Sequence, residues 1–316
     1  MDHKQSVYGV DVSAAQLVIG RYDSEALVEI GNAPEPIAAW LTSLRRGSIV
    51  AMEATGRYHQ LLAHLAQAAG MLVYVLNPQG LKHYARAVGV RGKTDRIDAQ
   101  LIARYVVHER NKLHPWAPAA PETEALSQLL TRRQKLVNAR QTLMQSLSGV
   151  SALKSEREAL RATLKRMITN LELLIVREIA RAPELAQLHR RLVSVVGIGP
   201  LVAAGLVAAL ARVRFSRVDS FIAYTGLDPR PDDSGNRRGR RRLTKHGPPL
   251  LRSLLYTAGM AAAHSKLFRA RYAELLARGL QTTEAIVILA RKLARIAFAL
   301  YRSGESFDPR KHLRTA

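Results

Sequence analysis

Three short β-rich runs at hairpin spacing, followed by alternating helical and β-rich runs, constrain the first 116 residues more than any other feature. Val7 to Ser13 reads as a buried strand, and Gln16–Tyr22 and Ala26–Ile30 follow as two more. Pro36–Leu44 then has helical spacing, Ser48–Met52 is β-rich, Tyr58–Ala69 is helical, and Met71–Leu76 is a fifth strand ending at Asn77-Pro78. Asp95–Val107 closes the series as a helix whose apolar face is Ile97, Leu101, Ile102 and Tyr105. Pro115, Pro118 and Pro121 mark a linker. The expectation is an α/β domain over residues 1–116.

A three-strand meander followed by helix, strand, helix, strand, helix is the element order of a ribonuclease-H-like fold. Four carboxylates fall at telling places in that order. Asp11 interrupts an apolar strand, where a lone charge costs several kcal/mol unless a cation compensates it. Glu53 follows the strand Ile49 to Met52 at its carboxyl end, and Asp95 and Asp98, three apart, share a helix face. With the first and fourth strands adjacent and the last helix across their ends, all four would converge. Such a cluster needs cations, and two Mg²⁺ ions would suit phosphoryl transfer. Taken singly, Asp95 reads as a helix N-cap, Asp98 as a solvated first-turn residue and Glu53 as an ordinary strand-end acid. Asp11 is the strongest single signal, because strand interiors rarely tolerate Asp.

From Glu122 to about Ala182 the period is heptad-like. Leu129, Leu136, Leu143 and Val150 recur every seven residues, as do Leu153, Leu160, Met167 and Leu174, with Leu164 and Leu171 at complementary positions. Two long helices are expected, paired with each other or with another subunit, although Arg133 and Arg140 interrupt the seam. Residues 117–190 are therefore read as a coiled-coil-like oligomerisation segment. Residues 191–316 are read as a mainly helical domain.

Charge separates these segments further. The 316 residues hold 48 Lys+Arg against 25 Asp+Glu, a formal charge of +23. Residues 201–316 alone carry 22 against 8, whereas 1–115 carry 13 against 10. A folded chain this basic calls for a polyanion, and nucleic acid is the first candidate. No apolar run is long enough to span a bilayer, so a membrane partner is not expected. Cysteine is absent, which removes disulfides, thiol catalysis and zinc ribbons, and no HExxH or Walker A pattern occurs. A cytoplasmic, nucleoid-associated protein fits this profile.

The loop from Gly226 to Pro248 concentrates Arg237, Arg238, Arg240, Arg241, Arg242 and Lys245, with Ser234 before Gly235. Arg suits paired hydrogen bonds to phosphate, and a serine so presented can act as a nucleophile if activated. The same residues also describe a plain DNA-binding loop with an ordinary turn serine. Gly197-Ile-Gly199-Pro200 resembles a helix-hairpin-helix turn, in which helix-start N–H groups hold a phosphate. A tight helix–helix turn has the same spelling.

Together these motifs resemble the IS110/IS1111 transposases. The resemblance rests on Gly9-Val-Asp11-Val-Ser13, Glu53-Ala-Thr-Gly56 and Lys93-Thr-Asp95-Arg-Ile-Asp98-Ala99, and then on Gly197-Ile-Gly-Pro200, Tyr224 to Pro229, Ser234-Gly235 and Thr244-Lys-His-Gly247. It implies a RuvC-like N-terminal domain in which Asp11, Glu53, Asp95 and Asp98 bind Mg²⁺. It also implies that Ser234 attacks the DNA backbone, that the site is completed in a dimer or tetramer, and that a structured RNA from the element's non-coding end guides donor and target DNA. Two departures stand out. The family's Ser-Gly-Gly is Ser-Gly-Asn here, and its Ser-Lys-Arg-Gly is Thr244-Lys-His-Gly247. Two rival readings remain: a RuvC-like nuclease that uses metal-activated water, and a non-catalytic nucleic-acid-binding protein.

Overall fold

The computed structural model describes residues 5–54, 56–89, 95–230 and 242–312, with the side chains of 95–97 and 312 outside the description. Ser234, Arg237, Arg238, Arg240, Arg241 and the side chain of Asp95 therefore lie outside the described residues. The chain divides into two compact units, Met1–Pro118 and Ala119–Ala316.

In the first unit, β1 (Val7–Val12), β2 (Gln16–Arg21) and β3 (Leu27–Gly31) form an antiparallel meander. After α1 (Pro34–Thr42), β4 (Ile49–Glu53) pairs parallel to β1. After α2 (His59–Ala68), β5 (Leu72–Leu76) pairs parallel to β4. The sheet order is β3-β2-β1-β4-β5, so the expected neighbours β1 and β4 lie at its centre. Parallel strands need crossovers, and α1 and α2 supply them. Val10, Val12, Val50 and Met52 point to the face covered by Ile37, Leu41, Leu62 and Ala66 of those helices. Val7, Ile49, Ala51 and Leu76 point to the other face, under Leu101, Ile102, Ala103 and Val106 of α4 (Asp95–Glu109). The outer edge of β5 is shielded where Trp116 N–H donates to Val73 O at 2.7 Å, one of the ways a sheet edge is kept from pairing elsewhere.

One helix of this unit is absent from the sequence reading: α3 (Pro78–Ala87). Asn77 caps it by accepting from Gln79 N–H at 2.9 Å, and Pro78 occupies its first position, where a missing N–H costs nothing.

Among the described residues, the second unit is helical apart from a two-stranded ribbon. α5 (Pro121–Ser146) and α6 (Lys154–Arg181) pair with each other. Arg133, an interruption of the expected seam, forms an ion pair with Glu172 at 2.7 Å. The buried stripe of α6 is Leu164, Ile168, Ile175 and Ile179, whereas Met167 and Leu174 of the anticipated heptad row are 46% and 43% exposed. The helix thus carries two apolar stripes, and the chain itself covers one. Ile168→Ala is expected to cost about 2–5 kcal/mol in urea denaturation. Met167→Ala should cost under about 1 kcal/mol in the monomer, because it removes little surface that the chain itself buries.

α7 (Pro183–Val193) leads by a short turn into α8 (Pro200–Arg212), which is apolar on nearly every side and lies at the centre of this unit's core. α9 (Val218–Thr225), α10 (Pro249–Ala263), α11 (Arg269–Ala277) and α12 (Thr282–Ser303) pack around it, and α13 (Pro309–His312) ends the description. Between α9 and α10, β6 (Pro229–Arg230) pairs antiparallel with β7 (Arg242–Leu243). Among the described residues, no helix is long and apolar enough to cross a membrane.

Candidate active site

Asp11 is the fifth residue of β1, half-buried between Val10 and Val12. Glu53 ends β4 and is half-buried as well, inside the strand rather than beyond it as the sequence suggested. The β1–β4 register runs from Val7 opposite Ile49 to Val10 opposite Met52. Continued by one residue, it sets Asp11 beside Glu53 on strands about 4.8 Å apart. Strand alternation sends both to the face of Val7, Gly9 and Ala51, the one that α4 covers.

Gly9 explains how closely α4 lies. A Cβ at Gly9 would stand 2.1 Å from Ala99 O and 2.5 Å from Ala103 N, so the helix backbone rests directly on β1. Gly20 on β2 is close to the same helix but less tight, with Gln100 and Ala99 atoms 3.3–3.4 Å from a built Cβ. The C-terminal end of α4 reaches the start of β1, where Val107 and Arg110 line a 200 Å³ cavity with Ser6 and Val7. Its N-terminal turn, with Asp95 and the half-buried Asp98, therefore lies toward the end of β1 that carries Asp11. Gly9 stands out in the sequence only as part of the Asp11 motif and Gly20 not at all, although a glycine inside a strand is a legible sign of close backbone approach.

The topology thus brings Asp11, Glu53 and Asp98 to one end of one sheet face. Among the described residues, no three His, Asp or Glu side chains gather tightly enough to enclose a metal ion. The donor set is nonetheless all carboxylate, the chemistry that hard divalent cations such as Mg²⁺ take.

The loop after Glu53 is tied to the turn after Asp11. Asn32 Nδ2 donates to Ser13 O at 2.8 Å and to Tyr58 O at 3.2 Å, so one amide joins the β1–β2 turn to the β4–α2 connection. Ser13 Oγ and N–H in turn pair with Gln16 O, which tightens that turn.

In the second unit, the ends of the basic loop are held firmly. Gly226 ends α9 at φ +69°, a conformation that favours glycine. Gly247 passes so close to α9 that a Cβ there would sit 1.9 Å from Tyr224 O. Arg252 Nη1 donates to Lys245 O at 3.3 Å and to Gly247 O at 3.0 Å. Thr244 Oγ1 donates to Asp228, and Thr244 N–H donates to Asp228 O at 3.1 Å. Lys245 is exposed and holds φ 55°, an uncommon conformation for a non-glycine residue that tends to mark functional places. Arg242 is exposed on β7. Burial lowers the proton affinity of Arg291 on α12, with Arg295 adding to the effect and Asp228 and Asp219 opposing it. Arg252 and Arg291 escaped the sequence reading because both lie outside the Arg-rich run.

The Gly197–Pro200 turn joins α7 to α8. Gly197, at φ +96°, is pressed on α10, where a Cβ would lie 2.9 Å from Ala262 Cβ and 3.0 Å from Ala258 O. Helix packing therefore accounts for Gly197. Gly199 is the exposed, extended N-cap of α8, with nothing within 4 Å of a built Cβ.

With this geometry in view, comparison with known proteins is informative. Residues 9–155 match the DEDD transposase model of the IS110 group, and residues 189–273 match the model of the transposase IS116/IS110/IS902 family. The chain is 30% identical over 269 residues to a pilin gene-inverting protein of Moraxella bovis, covering 83% of this chain and 82% of that protein. A pilin gene-inverting protein of Moraxella lacunata is 29% identical over the same shares. The transposase for insertion sequence element IS1111A of Coxiella burnetii is 26% identical over 305 residues, covering 84% and 81%.

Proposed function

Because the chain belongs to the IS110 family of transposases, we propose that it cuts and rejoins DNA by phosphoryl transfer, with Asp11, Glu53, Asp95 and Asp98 as Mg²⁺ ligands and Ser234 as nucleophile. The carrying observation is the β1–β4 register, which sets Asp11 beside Glu53 under the helix that begins at Asp95. The sheet order β3-β2-β1-β4-β5 supports a ribonuclease-H-like, RuvC-like first unit. Bound Mg²⁺ supplies positive charge against the phosphate oxygens as charge builds on them.

The protein's own groups have separable roles in this reading. The four carboxylates hold the cations in place. The serine oxygen forms a new bond to phosphorus while the DNA oxygen leaves as a free hydroxyl, so the bond energy is kept for rejoining. Arg237, Arg238, Arg240, Arg241, Arg242 and Lys245 neutralise backbone phosphates. Asp228, Thr244 and Arg252 fix the two ends of the loop that carries these basic residues. Gly199 leaves the start of α8 open to a phosphate, in keeping with a helix-hairpin-helix role for a turn that Gly197, at positive φ against α10, holds in shape.

Self-association completes the reading. Leu143, Val150, Leu153, Met167 and Leu174 are each about 40% exposed or more on and between the paired helices α5 and α6, and they repeat with a coiled-coil period. A second copy is the proposed occupant, giving a dimer or a tetramer. The proposed guide is a structured RNA from the element's non-coding end. The basic excess of the last third suits both this RNA and the donor and target DNA.

The test is adduct trapping with full-length protein, that RNA, Mg²⁺ and donor plus target DNA. Wild type is expected to leave a covalent protein–DNA adduct on denaturing gels, and Ser234→Ala is expected to leave none. Continued DNA cleavage by Ser234→Ala would assign the attack to water and the chain to the metal nucleases.

A further inference from the structure

Every aromatic side chain but one is buried or half-buried. Of ten Tyr, two Trp and five Phe, Tyr58 alone is exposed, at 41%. It stands five residues after Glu53 on the loop that Asn32 ties to Ser13, two residues beyond Asp11. The Arg57 guanidinium carbon lies 5.8 Å from the centre of the Tyr58 ring. An exposed ring costs solvation that a core position would have saved. This one sits with a cation at the edge where a DNA strand must lie if the carboxylates are the cutting site.

We propose that Tyr58 is a stacking platform for a DNA base next to the phosphate being cut, with Arg57 gripping the adjoining backbone. The inference rests on the carboxylate reading above. Every base offers a π face, so the platform tolerates sequence. Arg57 serves twice, since its charge attracts phosphate and its plane lies near the ring. Asn32 matters because a platform must be held still, and its two hydrogen bonds fix the backbone carbonyl of Tyr58 relative to β1.

The test uses full-length protein and a single-stranded DNA oligonucleotide carrying 2-aminopurine, read by fluorescence quenching and by affinity. Wild type is expected to quench the probe. Tyr58→Ala should abolish the quench and weaken binding about tenfold, with the melting temperature unchanged. Tyr58→Phe and Tyr58→Trp should restore both. Arg57→Gln should keep the quench, weaken binding and flatten the salt dependence. Equal quenching and affinity in Tyr58→Ala would overturn the proposal. So would quenching confined to a ribonucleotide version of the probe, which would make RNA the occupant. Asp11→Asn separates this proposal from the one beneath it. If that variant still cuts DNA, the carboxylate reading fails. If it is inactive while Tyr58→Ala binds and quenches like wild type, only the platform fails.

Discussion

Asp11→Asn is expected to slow DNA strand cleavage by about a thousandfold or more while leaving DNA affinity nearly unchanged. The substitution keeps the shape of the side chain and removes one charge. A metal site contributes several kcal/mol of charge stabilisation in phosphoryl transfer, and about 1.4 kcal/mol corresponds to tenfold in rate. Stability should change far less than cleavage, because asparagine keeps the shape of the side chain and one hydrogen-bonding oxygen on a half-buried strand position. A structural aspartate would behave in the opposite way, with a lower melting temperature and cleavage reduced only in proportion. Single-turnover cleavage beside a thermal melt distinguishes the two.

Gly9→Val is expected to have the second-largest effect, and by a different route. Its Cβ would need the space where Ala99 O, Ala103 N and Ile102 Cβ now lie at 2.1, 2.5 and 3.0 Å. Backbone atoms on both sides leave no side-chain rotation that relieves the clash, so α4 must lift off the sheet. Overpacking of this kind costs about 1–3 kcal/mol, and more where backbone has to move. Cleavage should fall further than stability, since lifting α4 carries Asp95 and Asp98 away from Asp11 and Glu53. Gly9→Ala should show a smaller loss of the same kind. Gly199→Ala is the steric control: nothing lies within 4 Å of its added methyl, so only a small loss at the α8 N-cap, well below that of Gly9→Val, is expected. Urea denaturation and cleavage rates on the same samples check the ordering.

Much of the first unit was legible because its connections are short and its periods distinct. The hairpins after β1 and β2 left little choice of neighbour, and the buried runs Val7–Val12 and Ile49–Glu53 read as central strands. α3 is hidden in the sequence because Asn77-Pro78 spells the end of a strand as readily as the start of a helix, which here begins at the Asn77 cap. The paired helices were expected, but their inner stripe was not. A seven-residue period says that one row of side chains shares a face and not which row turns inward, and α6 carries two such rows. Contacts with the rest of the second unit, centred on Ile175, Ile179, Leu188 and Leu192, selected between them.

The site was legible as residue types at element ends, and less so as supports. Asp11 and Glu53 announced themselves by charge in apolar strands. Gly9, Gly20, Asn32 and Arg252 did not, because their roles depend on partners far along the chain: Ala99 for Gly9, and Ser13 and Tyr58 together for Asn32. Arg252 is nearer to the loop, yet it sits in an apolar helix start whose pattern reads as packing. Ser234, Arg237, Arg238, Arg240 and Arg241 lie outside the described residues, so the roles proposed for them rest on the family and on the anchored loop ends.

Metal binding by the full-length chain tests the central claim most directly. Mn²⁺ titration read by electron paramagnetic resonance needs neither DNA nor guide RNA. Saturable binding in wild type, weakened about tenfold or more by both Asp11→Asn and Glu53→Gln, is the result expected of carboxylates that share one cation site. Equal binding in all three proteins would contradict it, and would leave Asp11 and Glu53 as neighbours in a sheet with no metal between them.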